Sequence, residues 1–334
     1  MPYTSDVIHK ATEALNANAR RHRAEFEQRR EQLYRQLPEL PVIERQMAQS
    51  VRRAAQTALQ KGTDPGPVIE QAKRQNLALQ QRRKELLASR GYPSDVLSYQ
   101  PLCLRCEDKG WRGAEMCRCL QALCGQEQIK ELSSMLNLGD QSFDTFDLDF
   151  YSPVYDPAIG SSPRERAEVA LAVCFTFADK FGKGKRQNLF LTGAPGLGKT
   201  FLSAAMARVV SEKGYSVVYD SAINVFNRFD AQKFNRDPEA NGDVDRYLSC
   251  DLMILDDLGS EMNTPYTQAS LYQLVNTRLV MNRQTVISSN LSLDEIGQHY
   301  SPQVYSRISG EYMAVLFYGD DIRKQKKARA NQRF

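Results

Sequence analysis

The 334-residue sequence contains a single tryptophan, three histidines and no apolar run long enough to cross a membrane. A membrane-spanning helix needs about 20 mostly apolar residues in succession, so we expect no membrane partner. The first residues, MPYTSDVIHKATEALNANARRHR, contain neither an apolar segment nor a small-residue cleavage site, and we therefore expect no secretory signal. With 42% hydrophobic and 25% charged residues, the composition excludes wholesale disorder and is typical of a globular protein of about two domains.

The cysteines are odd in number and unevenly placed. Four of the seven lie close together, at Cys103, Cys106, Cys117 and Cys119. This spacing favours one metal site in a reducing, cytoplasmic compartment over disulfides, since Zn²⁺ takes four thiolates in a closed structural tetrahedron. Only one residue separates Cys117 from Cys119, whereas two residues more commonly separate paired zinc ligands, so Cys124 is a possible substitute ligand. Incidental thiols or a redox pair are the alternatives.

The first 90 residues are predicted to be helical and basic. They contain 17 basic and 10 acidic residues, whereas the rest of the chain carries a net charge of −3. Helices are predicted to about Gln36, over residues 43–59 and over residues 67–89, with breaks at Pro38 and Pro41 and a turn at residues 61–67. The region is either a small helical bundle or, as the scarcity of large apolar residues favours, a partner-docking module.

Beyond residue 163, short apolar runs alternate with helical patterns. Strands are predicted at 188–191, 216–219, 252–255, 285–288 and 313–317, and helices at 164–182, 199–213, 222–235, 265–282 and 293–309. Five strands that alternate with helices predict an α/β fold with a five-stranded parallel sheet. The predicted domains are a helical docking domain (1–90), a zinc-binding segment (91–125), a linker (126–162) and an α/β domain (163–334).

One loop matches the phosphate-binding pattern G-x-x-x-x-G-K-[ST] in full. Its residues are Gly193, Ala194, Pro195, Gly196, Leu197, Gly198, Lys199 and Thr200. The loop follows an apolar strand and opens an amphipathic helix, which is the context that the motif requires. Glycines let backbone N–H groups approach phosphate oxygens, Lys199 reaches the β- and γ-phosphates, and the Thr200 hydroxyl binds Mg²⁺.

Polar residues follow two other predicted strands. Asp256 and Asp257 come after LMIL, and Asn290 ends the next strand. We expect Asp256 to hold Mg²⁺ and Asp257 to orient or deprotonate an attacking water. Asn290 is placed to position the water, although from its position alone a turn-forming asparagine is the better explanation.

With these motifs in place, residues from about 140 to 325 resemble the AAA+ ATPases of the DnaC/IstB-like branch. The motifs are LTG ahead of GAPGLGKT, LDDLG with Glu261, SNL at 289–291 and YSRI at 305–308. The upstream LALQQRRKELLASRGYPSDVL, CLRCEDKGW and CRCL also resemble bacterial and phage DnaC-type helicase loaders, which extends the resemblance to residues 75–325.

The resemblance implies further roles. Asn290 corresponds to sensor 1, Arg307 to the arginine finger that enters a neighbouring subunit's ATP site, and Arg323 to a sensor 2 arginine acting in its own subunit. Residues 222–249 lie at the position where family members have an inserted helical segment that binds DNA. The candidate phosphate contacts in this segment are Arg228, Lys233 and Arg236. Many AAA+ enzymes have Glu in place of Asp257, and the shorter side chain implies slow hydrolysis.

The function implied is that of an ATP-dependent helicase loader. It would bind a DnaB-type replicative helicase and single-stranded DNA, use ATP, Mg²⁺ and Zn²⁺, and assemble with copies of itself in an ATP-dependent oligomer. Two alternatives remain open. One is an IstB-like helper ATPase of transposition, against which the cysteine segment argues. The other is an adaptor that binds nucleotide without hydrolysing it.

Overall fold

The structure, a computed structural model, describes residues 3–58, 66–136, 141–184, 186–234, 236–237 and 239–331. It divides into two compact units. One is Ala14–Glu115, and the other combines Met1–Glu13 with Met116–Phe334. The functional domains expected above stay a prediction.

The N-terminal helices are α1 (Ser5–Gln36), α2 (Glu39–Ala58) and α3 (Gly66–Ala88). The predicted end of the first helix before Pro38 is confirmed. The predicted break at Pro41 is wrong: Pro41 lies in the first turn of α2, where proline is tolerated because its missing N–H has no partner to lose. Leu40 packs with Leu87 in a small leucine core. The predicted turn at residues 61–67 falls mostly outside the described residues.

The cysteine segment contains little regular structure of its own. Strands β1 (Trp111–Arg112) and β2 (Glu115–Met116) form a two-stranded sheet, and helix α4 (Arg118–Leu136) follows. The helix runs past the boundary expected at residue 125. Further along, single 3₁₀ turns form at Phe143–Thr145 and Leu148–Phe150 within the segment expected to be a linker.

A five-stranded parallel sheet forms the centre of the larger unit, as predicted. Its strands are β3 (Asn188–Thr192), β4 (Val217–Ser221), β5 (Leu252–Leu258), β6 (Gln284–Ser289) and β7 (Tyr312–Leu316). They lie in the order β4-β5-β6-β3-β7, and every neighbouring pair is parallel. Thr192 pairs with Ser289, and Ser221 pairs with Asp256, so the carboxyl ends of four strands meet at one edge.

Helices cover both faces of this sheet. They are α5 (Pro163–Asp179), α6 (Lys199–Glu212), α7 (Ala222–Lys233), α8 (Ala240–Ser249), α9 (Pro265–Val280), α10 (Leu293–His299), α11 (Pro302–Glu311) and α12 (Ile322–Asn331). Helices α5 and α6 pack in the core on one face, and α7 to α11 pack in the core on the other. The apolar positions of β3, β5 and β6 are buried between these two layers.

Two helix predictions need correction. The helix expected over residues 293–309 is two helices, because Pro302 cannot continue α10 and Ser301 caps α11 through its hydroxyl, which accepts from Val304 N–H. The polar stretch before Cys250 contains helix α8, which was not expected; its buried Val244 and Tyr247 pack on the core.

Helix α4 lies unusually close to the carboxyl end of α6. A β-carbon on Gly125 would stand 2.2 Å from the Ser211 carbonyl oxygen, so only glycine permits this approach. The Gln128 side-chain amide donates to the Ser211 hydroxyl at 3.0 Å.

Among the described helices, none is long and apolar enough to span a bilayer.

Candidate nucleotide-binding site

The phosphate-binding loop lies between β3 and α6 at the carboxyl edge of the sheet. Gly193, Gly196 and Gly198 have φ angles of 146°, 81° and 92°, which disfavour other residues. Contacts with the rest of the unit fix the loop on two sides: Tyr151 donates its hydroxyl proton to the Leu197 carbonyl at 2.8 Å, and Ile322 N–H donates to the Gly196 carbonyl at 3.0 Å. The loop N–H groups and the start of α6 therefore form an anion-binding concavity.

Lys199 lies at the centre of this concavity and is buried. Its ammonium donates to the Gly193 carbonyl, to the Ala194 carbonyl at 2.9 Å and to Asn290 Oδ1 at 2.8 Å. All three acceptors are neutral, so the ammonium charge has no carboxylate in direct contact. A phosphate oxygen is the stronger acceptor that such a group can take.

Asp256 is held by three hydroxyl groups from three elements. Thr200 donates to its Oδ2 at 3.3 Å, Tyr219 donates to the same oxygen at 2.7 Å, and Ser288 donates to Oδ1. Burial, with the charge of Asp256 next, raises the pKa of Tyr219 well above its usual value, so Tyr219 remains a donor. The Thr200 hydroxyl and the Asp256 carboxylate are oxygen ligands of the kind Mg²⁺ prefers, and the residues present fit that ion.

Asp257 and Asn290 lie side by side beyond this pair. The Asn290 amide donates to Asp257 Oδ1 at 2.9 Å. Asp257 has a φ of 59°, and the pairing of β5 with β6 shifts register between Leu255 and Leu258. A left-handed, non-glycine residue in a bulge next to a ligand cavity is backbone strain of the kind that concentrates at functional sites.

A cavity of about 670 Å³ joins these residues, which is within the usual size range for ligand sites. Its polar lining contains the loop, Asp256, Asp257 and Asn290, together with Arg323 of α12. Phe146 and Phe150 add an apolar wall. Phe146 stacks near Phe201 and Tyr151, with ring centroids 5.5 and 5.7 Å away.

The sequence analysis missed several of these contacts. Tyr219 and Ser288 are the donors to Asp256, Tyr151 supports the loop, and the two phenylalanines form the apolar wall. The alternation of Phe and Asp in SFDTFDLDFY is a signal that could have pointed to the wall, because an apolar stripe in a polar segment must pack on something.

Arg307 does not join this cavity. It is exposed near the end of α11 and lines a different cavity, which also contains Asn188 and Tyr312, the first residues of β3 and β7. These residues are at the amino edge of the sheet, opposite the phosphate-binding loop.

The four clustered cysteines do come together. The sulfur atoms of Cys103, Cys106, Cys117 and Cys119 all lie within 4.8 Å of one another. In a tetrahedral site with Zn–S bonds near 2.3 Å, sulfur atoms are about 3.8 Å apart, so the arrangement fits zinc after a small contraction. The alternative ligand Cys124 is not in the cluster; it is buried in α4, where burial raises its thiol pKa to about 11.

The fold and this site define a P-loop ATP-binding protein with a five-stranded parallel sheet. Residues 175–330, a little under half of the chain, match the family described as "IstB-like ATP binding protein". This part of the chain is therefore similar to the IstB-like ATP-binding domain, in agreement with the resemblance stated above.

Curated relatives and solved structures extend the comparison. The chromosomal replication initiator protein DnaA of Rickettsia bellii (strain RML369-C) is 32% identical over 170 residues, which are 49% of this chain and 35% of that protein. DnaA of Rickettsia massiliae (strain Mtu5) is 30% identical over 167 residues, with 49% and 34% covered. The chain thus spans about a third of the length of these relatives.

Two solved structures are also similar. A crystal structure of the DnaC helicase loader aligns with a TM-score of 0.44 and 20% identity over 55% of this chain and 99% of that one. AMPPCP-bound DnaA from Aquifex aeolicus aligns with a TM-score of 0.40 and 26% identity over 50% and 53%.

The environment of Lys199 predicts how nucleotide affinity depends on pH. Burial lowers the pKa of Lys199 to about 8, Asp257 and Asp256 oppose this lowering, and Arg323 adds to it. Because phosphate binding requires the charged ammonium, we expect ATP affinity to be constant below pH 7 and to fall about tenfold per unit above pH 8. Titration calorimetry between pH 6.5 and 9.5 measures this. The Lys199→Arg variant, whose guanidinium stays charged, is the control, and an equal decline in both proteins would contradict the assignment to Lys199.

Proposed function

We propose that this protein is an ATPase that loads a DnaB-type replicative helicase onto single-stranded DNA. The observation that carries the proposal is that one chain combines an assembled P-loop site with a four-cysteine cluster and a basic helical region. The similarity of half the chain to replication initiator proteins supports a role in starting replication. Thr200 and Asp256 would hold Mg²⁺, which when bound neutralises phosphate charge.

Hydrolysis is assigned to the residues around the γ-phosphate end of the cavity. Asp257, oriented by Asn290 at 2.9 Å, would accept the proton of the attacking water. Lys199 would exchange its carbonyl acceptors for phosphate oxygens and stabilise the charge that develops on them. Arg323 would contact the phosphates from the α12 side in the same subunit.

A cation–aromatic cluster at the end of α7 supports DNA binding. Phe234 is 53% exposed, and the Arg236 guanidinium and the Lys233 ammonium lie 4.9 and 5.6 Å from its ring centroid. The Lys233 ammonium also lies 4.8 Å from the ring of Tyr266. Exposed aromatic rings stack on bases while cations contact phosphates, which is how single strands are bound without sequence preference. Arg236 also pairs with Asp230, but Arg228 pairs with two carboxylates, those of Asp237 and Asp243, and is the poorer candidate.

We therefore expect Phe234→Ala to weaken binding of a labelled oligo-dT about tenfold, because one stacked base contributes roughly 1–3 kcal/mol. Fluorescence anisotropy at fixed salt measures the affinity. The matched control is Phe175→Ala, since Phe175 is also 53% exposed but lies on α5. Equal affinities of the two variants would place the DNA elsewhere. Binding by Lys233→Ala should also depend less steeply on salt.

The helicase-docking role is assigned to the helices of residues 1–90 and the cysteine segment. Next to the cluster, Leu102 and Leu104 are exposed, and large apolar side chains exposed together are typical of protein-binding surfaces. Such a surface loses contact area when its apolar side chains are truncated to polar ones.

We expect the protein to co-purify with a purified DnaB-type helicase from the same organism. Leu104→Ser should reduce this binding at least tenfold, whereas Val154→Ser, at a site about as exposed, should not. Pull-downs with and without ATP measure both. Retention of a transposase instead of the helicase would favour the second candidate, an IstB-like transposition helper, which the family match supports.

A further inference from the structure

A second cavity, of about 960 Å³, lies away from the nucleotide site at the amino edge of the sheet. Its charged lining residues are Arg186, Arg283, Arg307 and Glu311. Arg283 forms an ion pair with Asp251. Within the described residues, Arg186 and Arg307 have no ion-pair partner, and both are exposed. The cavity is therefore a positively charged recess with two available guanidinium groups.

These guanidinium groups cannot serve the nucleotide of their own subunit. Strand β3 runs from Asn188 at this cavity to Thr192 beside the phosphate-binding loop, a span of about 13 Å at the usual rise per residue. The interior of the strand, Leu189 to Leu191, is completely buried and fills the space between the two sites. A ligand for Arg186 and Arg307 must come from outside the subunit.

The rim of the cavity has the composition of a protein contact. Val280 is 77% exposed, and Met281 and Met313 are also exposed beside it. Exposed apolar side chains around a charged recess suit a surface that is covered on assembly. The wall of the nucleotide cavity that β5 and β6 form, with Asp256, Asp257, Ser288 and Asn290, contributes no basic side chain of its own. The basic residues that line this cavity are Lys199, Arg323 and Lys326.

We propose that Arg186 acts together with Arg307 on the ATP of a second copy of this chain, as a second guanidinium supplied in trans. This inference rests on the proposed ATPase function and on the role of trans-acting finger that the family resemblance implies for Arg307. In the reaction, water adds to the γ-phosphorus, the bond to the β–γ bridging oxygen breaks with its electron pair going to ADP, and the water proton passes to Asp257. Arg186 and Arg307 share the negative charge that develops on the γ-phosphate and bridging oxygens.

Subunit mixing tests the inference. With ATP, Mg²⁺ and single-stranded DNA, Arg186→Ala alone should hydrolyse ATP about tenfold more slowly than the wild type, with ATP affinity within twofold. When Lys199→Ala protein is added to Arg186→Ala protein, hydrolysis should recover several-fold. The Lys199→Ala protein has a defective phosphate-binding loop but keeps both arginines, which complete the ATP sites of the Arg186→Ala subunits. Arg186→Lys should retain part of the rate, and Arg208→Ala, an exposed arginine paired with Glu212 on α6, should behave as wild type.

The outcomes separate the two proposals. Two outcomes overturn this inference alone. One is an Arg186→Ala rate equal to that of the wild type. The other is that added Lys199→Ala protein restores the hydrolysis lost in Arg307→Ala but not the hydrolysis lost in Arg186→Ala. If neither variant is restored, Arg307 does not act in trans and this inference fails with it, whereas the proposed helicase-loading function still stands. Restoration of both variants supports the roles assigned to Arg186 and Arg307.

Discussion

Replacing Lys199 with alanine should lower steady-state phosphate release by about 1000-fold, the upper range for removing one charge-stabilising donor from an active site. The ammonium lies at the centre of the loop, within hydrogen-bonding distance of Asn290 and two loop carbonyls, so its loss removes the cation closest to the phosphates. ATP affinity should also fall, because the same group stabilises the bound ground state. Phosphate release with single-stranded DNA and calorimetric titration with Mg²⁺ and ATP measure the two effects.

The control for this variant is Lys180→Ala, an exposed lysine just after α5. It should change neither quantity. A Lys199→Ala protein that releases phosphate as fast as the wild type would mean that the activity belongs to a contaminant or another site. If the wild type itself binds ATP but releases no phosphate under these conditions, the protein is the nucleotide-binding adaptor considered above.

Replacing Cys106 with serine should abolish zinc binding. The wild type should contain about one zinc per chain, since four thiolates complete a closed structural site. From Cys103 to Cys117 the regular structure is limited to two strands of two residues each, so a bound zinc would contribute most of the folding free energy of this segment. Elemental analysis measures the zinc. Trp111, the single tryptophan, lies in this segment and reports its folding through a red shift of fluorescence.

Cys124→Ala provides the matched comparison, because this thiol is buried in the adjoining helix but lies outside the cluster. It should retain zinc and the wild-type emission spectrum. Chelation of the wild type should reproduce the Cys106→Ser spectrum and reduce helicase binding while ATP binding persists. A folded, metal-free wild type with unshifted emission would contradict the zinc assignment.

The sheet, the loop and the acid pair were predictable because each has a local signal. Apolar runs mark the strands, and the spacing of glycines and Lys199 marks the loop whatever surrounds it. Parallel strands then bring Asp256 and Asn290 to the same edge without any further information. The break at Ser301-Pro302 had a local signal too, and the expectation of one continuous helix overlooked it.

Contacts between distant segments were not predictable in this way. Tyr219 donates to a carboxylate 37 residues away, and Tyr151 donates to a loop carbonyl 46 residues away. Nothing in the residues around either tyrosine distinguishes it from an ordinary buried aromatic residue. The position of Arg307 at the opposite edge of the sheet likewise depends on how α11 packs, which is a property of the folded unit.

The approach of α4 to α6 at Gly125 ties together two parts of the protein that differ in chemistry. Helix α6 begins at the phosphate-binding loop, and α4 begins beside Cys117 and carries Cys119 in its first turn. Because the two helices touch backbone to backbone, a shift of α6 along its axis cannot be absorbed by soft side chains between them. A displacement of α6 would therefore reach the helix that carries Cys119 through backbone contact, with no layer of adaptable side chains between the two helices.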